Sequence, residues 1–101
     1  MSSKEPPPLQ VSERVREKLL HKHNVTMNEV REAFGARNSN RKFLTDNRED
    51  HKTNPPTLWF IAQTDRGRDL KISFIVLDDG VHLKSVYEPN SEEIRIYNKY
   101  S

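Results

Sequence analysis

The amino-acid sequence predicts an α+β domain in which two N-terminal helices pack on an antiparallel sheet of three or four strands, with a short C-terminal helix. Two observations carry this prediction. Apolar residues first recur at helical spacing, and then alternate with polar residues in segments separated by tight turns that contain glycine. Neighbouring strands joined by tight turns pair antiparallel. The chain of 101 residues has the usual size of one domain.

Residues 1–10 are predicted to form a flexible tail, and residues 11–101 to form the domain. Pro6, Pro7 and Pro8 disfavour helix and remove consecutive backbone donors. Ser12 is a suitable N-cap for the first helix, and Asn24 is suited to its left-handed end. Apolar residues at four-residue spacing form the inner face of this helix, at Val11, Val15 and Leu19.

The second helix has the clearest start signal in the chain. Thr26 and Glu29 form a capping box, and Val25 is placed to contact Val30 across it. Gly35 is predicted to end this helix. Neither helix is long enough to be stable alone in water, so both are expected to bury their apolar sides on the sheet.

The sheet is predicted from three alternating segments and one weaker segment. The alternating segments are Leu58 to Thr64, Asp69 to Leu77 and Val81 to Tyr87, and Arg41 to Asp46 is a candidate edge strand. In the last alternating segment Val81, Leu83 and Tyr87 are predicted to point inward. The pair Asn90 and Glu93 repeats the capping signal ahead of the C-terminal helix.

The second face of the sheet is expected to be open and polar. Alternation assigns to it an aromatic ring, a hydroxyl and cations, at Trp59, Lys71, Ser73, His82 and Lys84. Together with the loop from Asn47 to Pro56, this face is where we expect function.

Composition excludes several classes of protein. The absence of cysteine excludes disulfides and thiol catalysis and fits a reducing cytoplasm. The N-terminus has no apolar run, so neither a signal peptide nor a membrane anchor is predicted, and we expect a cytoplasmic protein. His21 and His23 point to different faces of a helix, so metal binding is not expected, nor is a cofactor. The net charge of +2 says little about partners unless cations cluster on one face.

The loop contains the first candidate site, the polar run Arg48, Glu49, Asp50, His51 and Lys52. A histidine beside carboxylates and cations can serve as a general acid or base, because its pKa lies near neutrality. A solvated loop with charges of both signs is the alternative interpretation.

The second candidate site is the open sheet face, where Trp59 would stack an RNA base while Lys71 and Lys84 bind phosphates. The alternative is that Trp59 packs under the C-terminal helix. A third, weaker candidate is a set of cations suited to phosphate contacts or simply solvated, at Arg66, Arg68, Arg95 and Lys99.

One family resemblance adds to these observations. The run His23-Asn24-Val25-Thr26-Met27-Asn28-Glu29-Val30-Arg31-Glu32-Ala33-Phe34 resembles the segment that opens the BrnT toxin family. The order that follows is also similar: a charged loop, a strand with Trp59, a T-D-R-G-R turn, another strand, and a helix that contains Tyr97. Where the family typically has a basic S-A-R-[KR] step, this chain has Ser85-Val86-Tyr87-Glu88.

The resemblance implies a RelE-like fold, a ribonuclease that inhibits translation, and a DNA-binding antitoxin as partner. For such an RNase, proton transfer is assigned to His51 or Glu49, and base stacking to Trp59 or Tyr87. Charge stabilisation is assigned to cations, at Arg48, Lys52, Arg68, Lys71 and Lys84. The alternative is a small non-catalytic module that binds a protein partner or nucleic acid.

Overall fold

The computed structural model describes residues 9–37, 40–46 and 55–101. Within these ranges, three helices, Glu13–His23 (α1), Met27–Ala36 (α2) and Ser91–Tyr100 (α3), accompany one five-stranded sheet. The strands are β1 Leu9–Gln10, β2 Leu44–Thr45, β3 Leu58–Gln63, β4 Asp69–Leu77 and β5 Gly80–Tyr87. Their order across the sheet is β1-β5-β4-β3-β2. The predicted α+β class is confirmed.

The sheet is mixed rather than wholly antiparallel. Strand β1 pairs parallel to β5, with Leu9 opposite Val81 and Gln10 opposite His82, while the other neighbours pair antiparallel. The strand therefore includes the last two residues of the predicted tail, whereas residues 1–8 lie outside the described part. Two residues are too few to give an alternation, which is why the sequence did not predict this strand.

Both N-terminal helices have the predicted caps. The Ser12 side chain accepts a hydrogen bond from the backbone N–H of Val15, and Asn24 ends α1 in the left-handed region with φ of 53°. In α2 the Thr26 hydroxyl and the Glu29 carboxylate satisfy each other's backbone N–H groups. This helix continues through Gly35 to Ala36, so the predicted end is one residue early.

The first face of the sheet carries α1 and α2 over an apolar core. Phe60 is completely buried there, and its ring centroid lies 5.1 Å from that of Phe34 on α2. Leu70, Ile72 and Phe74 extend this layer along β4. The apolar alternation of β3 and β4 thus gives the packing expected from the sequence.

The second face is closed around Trp59, Lys71 and Ser73, so the prediction of an open polar face is wrong for these residues, whereas His82 is partly exposed and Lys84 is exposed. Helix α3 covers the closed part, and the Trp59 and Tyr97 ring centroids lie 5.9 Å apart. Trp59, Lys71 and Ser73 expose only 7%, 4% and 6% of their surfaces. The alternative interpretation, in which Trp59 packs under the C-terminal helix, is confirmed. A buried lysine is rare, so alternation with lysine was interpreted as exposure.

A β-bulge changes the orientation of the end of β5. Ser73 pairs with Ser85 but Phe74 pairs with Leu83, which leaves Lys84 as the extra residue. Beyond the bulge the alternation is reversed, and Tyr87 pairs with Lys71 on the second face. The predicted inward orientation of Tyr87 beside Leu83 is therefore wrong.

Candidate functional site

Five secondary-structure elements meet at one end of the sheet and form the candidate site. Helix α1 ends there, α2 and α3 begin there, and the start of β4 lies beside the end of β5. Two side chains from the start of β4, Arg68 and Lys71, organise two neighbouring groups of contacts. We call these groups the Arg68 cluster and the Lys71 cluster.

In the Arg68 cluster the guanidinium joins three elements. Its Nη1 atom donates to the carbonyl oxygen of Asn24 at 2.8 Å and to Glu29 Oε2 at 3.0 Å. Its Nη2 atom donates to the carbonyl oxygen of His23 at 3.1 Å, and its Nε atom donates to Glu88 Oε2 at 2.6 Å. Arg68 is thus engaged on all three nitrogens and holds the end of α1 against the start of α2.

The carboxylate of Glu29 has two roles in this cluster. Its pKa is lowered from the ordinary value, chiefly by the hydrogen bond from the Thr26 backbone, with further lowering from Arg68 against the opposing effect of burial. The same side chain closes the capping box of α2. Helix capping and attachment to β4 therefore depend on one ionised group.

The Lys71 cluster lies under α3. Lys71 Nζ donates to Glu93 Oε2 at 2.8 Å and to Tyr87 Oη at 3.2 Å, and it lies 4.6 Å from the centroid of the Trp59 ring. The Tyr87 hydroxyl donates to the same Glu93 oxygen at 3.0 Å. The ammonium group is satisfied by an anion, a hydroxyl and an aromatic face, which makes its burial possible.

Glu93 is the anion of this cluster. Burial raises its pKa, but hydrogen bonds from Lys71, the Asn90 backbone and Tyr87, together with the charge of Lys71, outweigh burial and lower the pKa overall. Glu93 also closes the capping box of α3 with Asn90. Sequence reasoning identified Glu93 only as a capping residue, because its partner Lys71 was expected to be exposed.

His23 is the residue of the site that sequence reasoning missed. Its ring centroid lies 5.6 Å from that of Tyr87, and its side chain is half-buried. Burial lowers its pKa, and the charges of Lys22 and Lys18 lower it further, so the imidazole is neutral at pH 7. One signal was present: His23 continues the inner-face spacing of Val15 and Leu19.

Exposed cations along α1 lead to His23. We define the α1 basic face by three exposed side chains, Arg14, Lys18 and Lys22. Arg14, Lys18 and Lys22 recur at four-residue spacing, which aligns them along one side of the helix. A local row of cations attracts phosphates even on a molecule of small net charge.

The remaining predicted site residues are not brought together. Arg48, Glu49, His51 and Lys52 lie outside the described residues, so their roles stay predictions. Lys84 is exposed at the bulge, apart from the buried Lys71.

The cations of the third candidate site have separate contacts. Arg66 lines a small polar pocket with Arg68, Arg95 Nε donates to Glu92 at 3.0 Å, and the Lys99 ammonium lies 5.3 Å from the ring centroid of Tyr100. These cations therefore do not form one phosphate-binding group.

Two searches for known features give negative results. Within residues 9–37, 40–46 and 55–101, no group of three or more potential metal ligands is found, and no helix is long and apolar enough to span a bilayer. Comparisons of the chain with models of protein families, with curated proteins and with solved structures find no match.

Proposed function

We propose that this protein is a ribonuclease toxin that inhibits translation by cleaving RNA without a metal ion. The observation that carries the proposal is the neutral His23 at the end of the α1 basic face, beside the Tyr87 ring of the Lys71 cluster. Cations that bind phosphate thus lead to a group able to accept a proton at neutral pH.

RNA binding is assigned first to the α1 basic face. Lys18 and Lys22 are exposed, and their effect on the pKa of His23 means that their charges act close to this imidazole. A phosphate bound by these lysines would therefore lie near the imidazole. The exposed Lys84 stays in the proposal as a further phosphate contact, whereas Trp59 is buried and leaves base stacking to Tyr87.

The proposed reaction is transfer within the RNA backbone. The neutral imidazole of His23 takes the proton of a ribose 2′-hydroxyl, and the 2′-oxygen attacks the adjacent phosphorus. The bond to the 5′-oxygen breaks, a second group protonates that oxygen, and the product ends in a 2′,3′-cyclic phosphate. His51 or Glu49 is proposed as the second group, and Arg48 and Lys52 as cations that stabilise the charged intermediate.

The Arg68 and Lys71 clusters are proposed to position this chemistry. Arg68 binds the His23 carbonyl oxygen, which fixes the end of α1. Lys71 and Glu93 hold the Tyr87 hydroxyl, whose ring contacts His23. The Arg68 cluster therefore limits the movement of the His23 backbone, and the Lys71 cluster limits the movement of the ring beside its imidazole.

Incubation of the purified protein with total RNA, with and without a chelator, tests the activity. We expect cleavage that survives chelation and a product with a cyclic phosphate end. We expect His23→Ala to lower the rate by about 10²-fold or more, the usual contribution of a general base. His21→Ala is the matched control, because His21 is exposed on the same helix.

The pH profile adds a second readout. Because the His23 pKa lies below its ordinary value of 6.5, the acidic fall in activity should have its midpoint below that pH. Equal rates for the His23 and His21 variants would remove His23 from the mechanism. An absence of cleavage and of growth arrest on induction would contradict the proposed function as a whole.

The loop residues and the partner have their own tests. Induction of the protein should arrest growth, and removal of charge at Arg48, His51 and Lys52 together should relieve the arrest. The proposed partner is a small DNA-binding antitoxin encoded by a neighbouring reading frame, and its co-expression should restore growth. Unchanged toxicity of the triple variant would contradict the assigned role of the loop.

A further inference from the structure

We infer that a second copy of this chain binds at an apolar patch on the β4–β5 hairpin, distant in sequence from the α1 basic face. We define the hairpin patch by Phe43 and Val76, with the groove that they line. This inference is independent of the proposed ribonuclease activity. It rests on the groove, on the exposed side chains, on an unpaired strand edge and on the placement of charges.

The groove is an apolar depression of about 630 Å³ between α2 and the sheet. Its walls are almost entirely hydrocarbon, and they include the side chains of Phe34, Phe43, Phe74 and Val76. The two charged lining residues, Arg31 and Arg37, are both cations. An occupant with apolar side chains and a carboxylate would fit this lining.

Two exposed apolar side chains line the groove. They are Val76 and Phe43, among the five large apolar residues that are exposed in the described part of the chain. Val76 exposes 48% of its surface and Phe43 38%. Exposed apolar residues scattered singly are normal, but two that line one apolar groove are typical of a binding surface.

Strand β4 extends beyond its neighbour at this point. The last pair between β3 and β4 is Leu58 with Phe74. On the β3 side, Ile75, Val76 and Leu77 therefore have no strand partner within residues 9–37, 40–46 and 55–101. An unpaired edge with apolar side chains is a template for pairing with another strand. Two copies of this edge can pair antiparallel around a two-fold axis near Val76.

The charges favour a second copy over a different partner. The groove carries Arg31 and Arg37, and the turn directly after Leu77 carries Asp78. Asp79 is already paired with His82 at 2.6 Å, whereas Asp78 has no ion pair among the described residues. A two-fold axis near Val76 brings the Asp78 turn of each copy to the cationic groove of the other. The patch is thus self-complementary, as a symmetric dimer requires.

Sedimentation velocity of the full chain over a range of concentrations tests the inference. We expect a reversible dimer, and we expect Val76→Asp to raise its dissociation constant by about tenfold or more. Leu20→Asp is the matched control, because Leu20 is 51% exposed on α1 and lies outside the patch. Thermal unfolding of each variant shows whether it is folded.

A charge exchange provides a second test of the dimer, which does not depend on whether the Val76→Asp variant folds. Asp78→Arg and Arg31→Asp, each alone, should weaken the dimer by about tenfold, because each places like charges across the interface twice. The double variant should recover the dimer. Recovery would be hard to explain by any effect within one copy.

Three outcomes would overturn the inference. One is a wild-type chain that stays monomeric at all concentrations. Another is a Val76→Asp variant that dimerises as well as the Leu20→Asp control. The third is a monomeric full chain whose shortened form, beginning at Leu9, dimerises. That result would assign the patch to residues 1–8 of the same chain.

Discussion

The two faces of the sheet bury side chains of different chemistry. On the first face Phe60, Ile72 and Phe74 pack beneath α1 and α2 with no polar group among them. On the second face Lys71 lies under α3, and its charge is matched by Glu93. The first face gains free energy from each apolar group it buries. The second face must first offset the cost of removing two charges from water. We therefore expect substitutions to affect the two faces differently.

Phe60→Ala should give the largest loss of stability in the molecule. Phe60 is completely buried and its ring contacts those of Phe34, Phe43 and Phe74. Removing it leaves a cavity, and we expect a loss of about 3–5 kcal/mol in the free energy of unfolding. Urea denaturation measures this value.

Phe43→Ala is the matched control for that substitution. Phe43 contacts the rings of Phe60 and Phe74 but exposes 38% of its surface, so its removal should lower the free energy of unfolding by about 1 kcal/mol. Equal losses for the two variants would mean that burial does not determine how much each ring of this face contributes to stability.

Lys71→Met should lower the free energy of unfolding by about 2 kcal/mol. The loss should be smaller than for a fully buried ion pair, because the Glu93 side chain keeps 17% exposure. The loss comes from leaving Glu93 without its cation. The double variant Lys71→Met with Glu93→Leu should recover most of the stability, since apolar groups of similar size often replace a buried ion pair at little cost. Urea denaturation again gives the values.

The double variant also separates stability from function. If the Lys71 cluster positions Tyr87 beside His23, a stable double variant should still cleave RNA more slowly than the wild type. Full activity in that variant would confine Lys71 and Glu93 to a structural role. A Lys71→Met variant as stable as the wild type would show that the pair does not stabilise the second face.

The same contrast explains what could be predicted from the sequence. The first face was predictable because apolar alternation and helical spacing report burial directly, as at Phe60 and Val30. The caps at Thr26 and Asn90 were predictable because side chain and backbone lie three residues apart. Local signals of this kind do not depend on how distant segments meet.

The second face depends on distant contacts and was predicted wrongly. Whether Lys71 is exposed depends on Glu93, 22 residues later, folding back over it. The orientation of Tyr87 depends on the bulge at Lys84, which no glycine marks. The spacing of His23 after Val15 and Leu19 indicates burial, but it does not indicate the contact with Tyr87. Each of these features combines residues from separate elements.

The smallest expected effects concern the two capping boxes, one for each face. Glu29 joins its box to Arg68, and Glu93 joins its box to Lys71, so both helices are attached to the start of β4 in the same way. Removing either N-cap, by Thr26→Ala or Asn90→Ala, should reduce the stability of its helix by about 1 kcal/mol.

The two helices should nevertheless respond differently to the loss of their caps. Helix α2 is also held by the buried Val30 and Ala33, whereas Tyr97 is the one buried residue within α3. Losing the Asn90 cap should therefore open α3 locally, while losing the Thr26 cap should lower the stability of the whole domain. Hydrogen exchange distinguishes these results, because local opening speeds exchange only at α3 amides. Uniform acceleration in the Asn90 variant would mean that α3 unfolds only with the rest of the domain, and that the second face is as cooperative as the first.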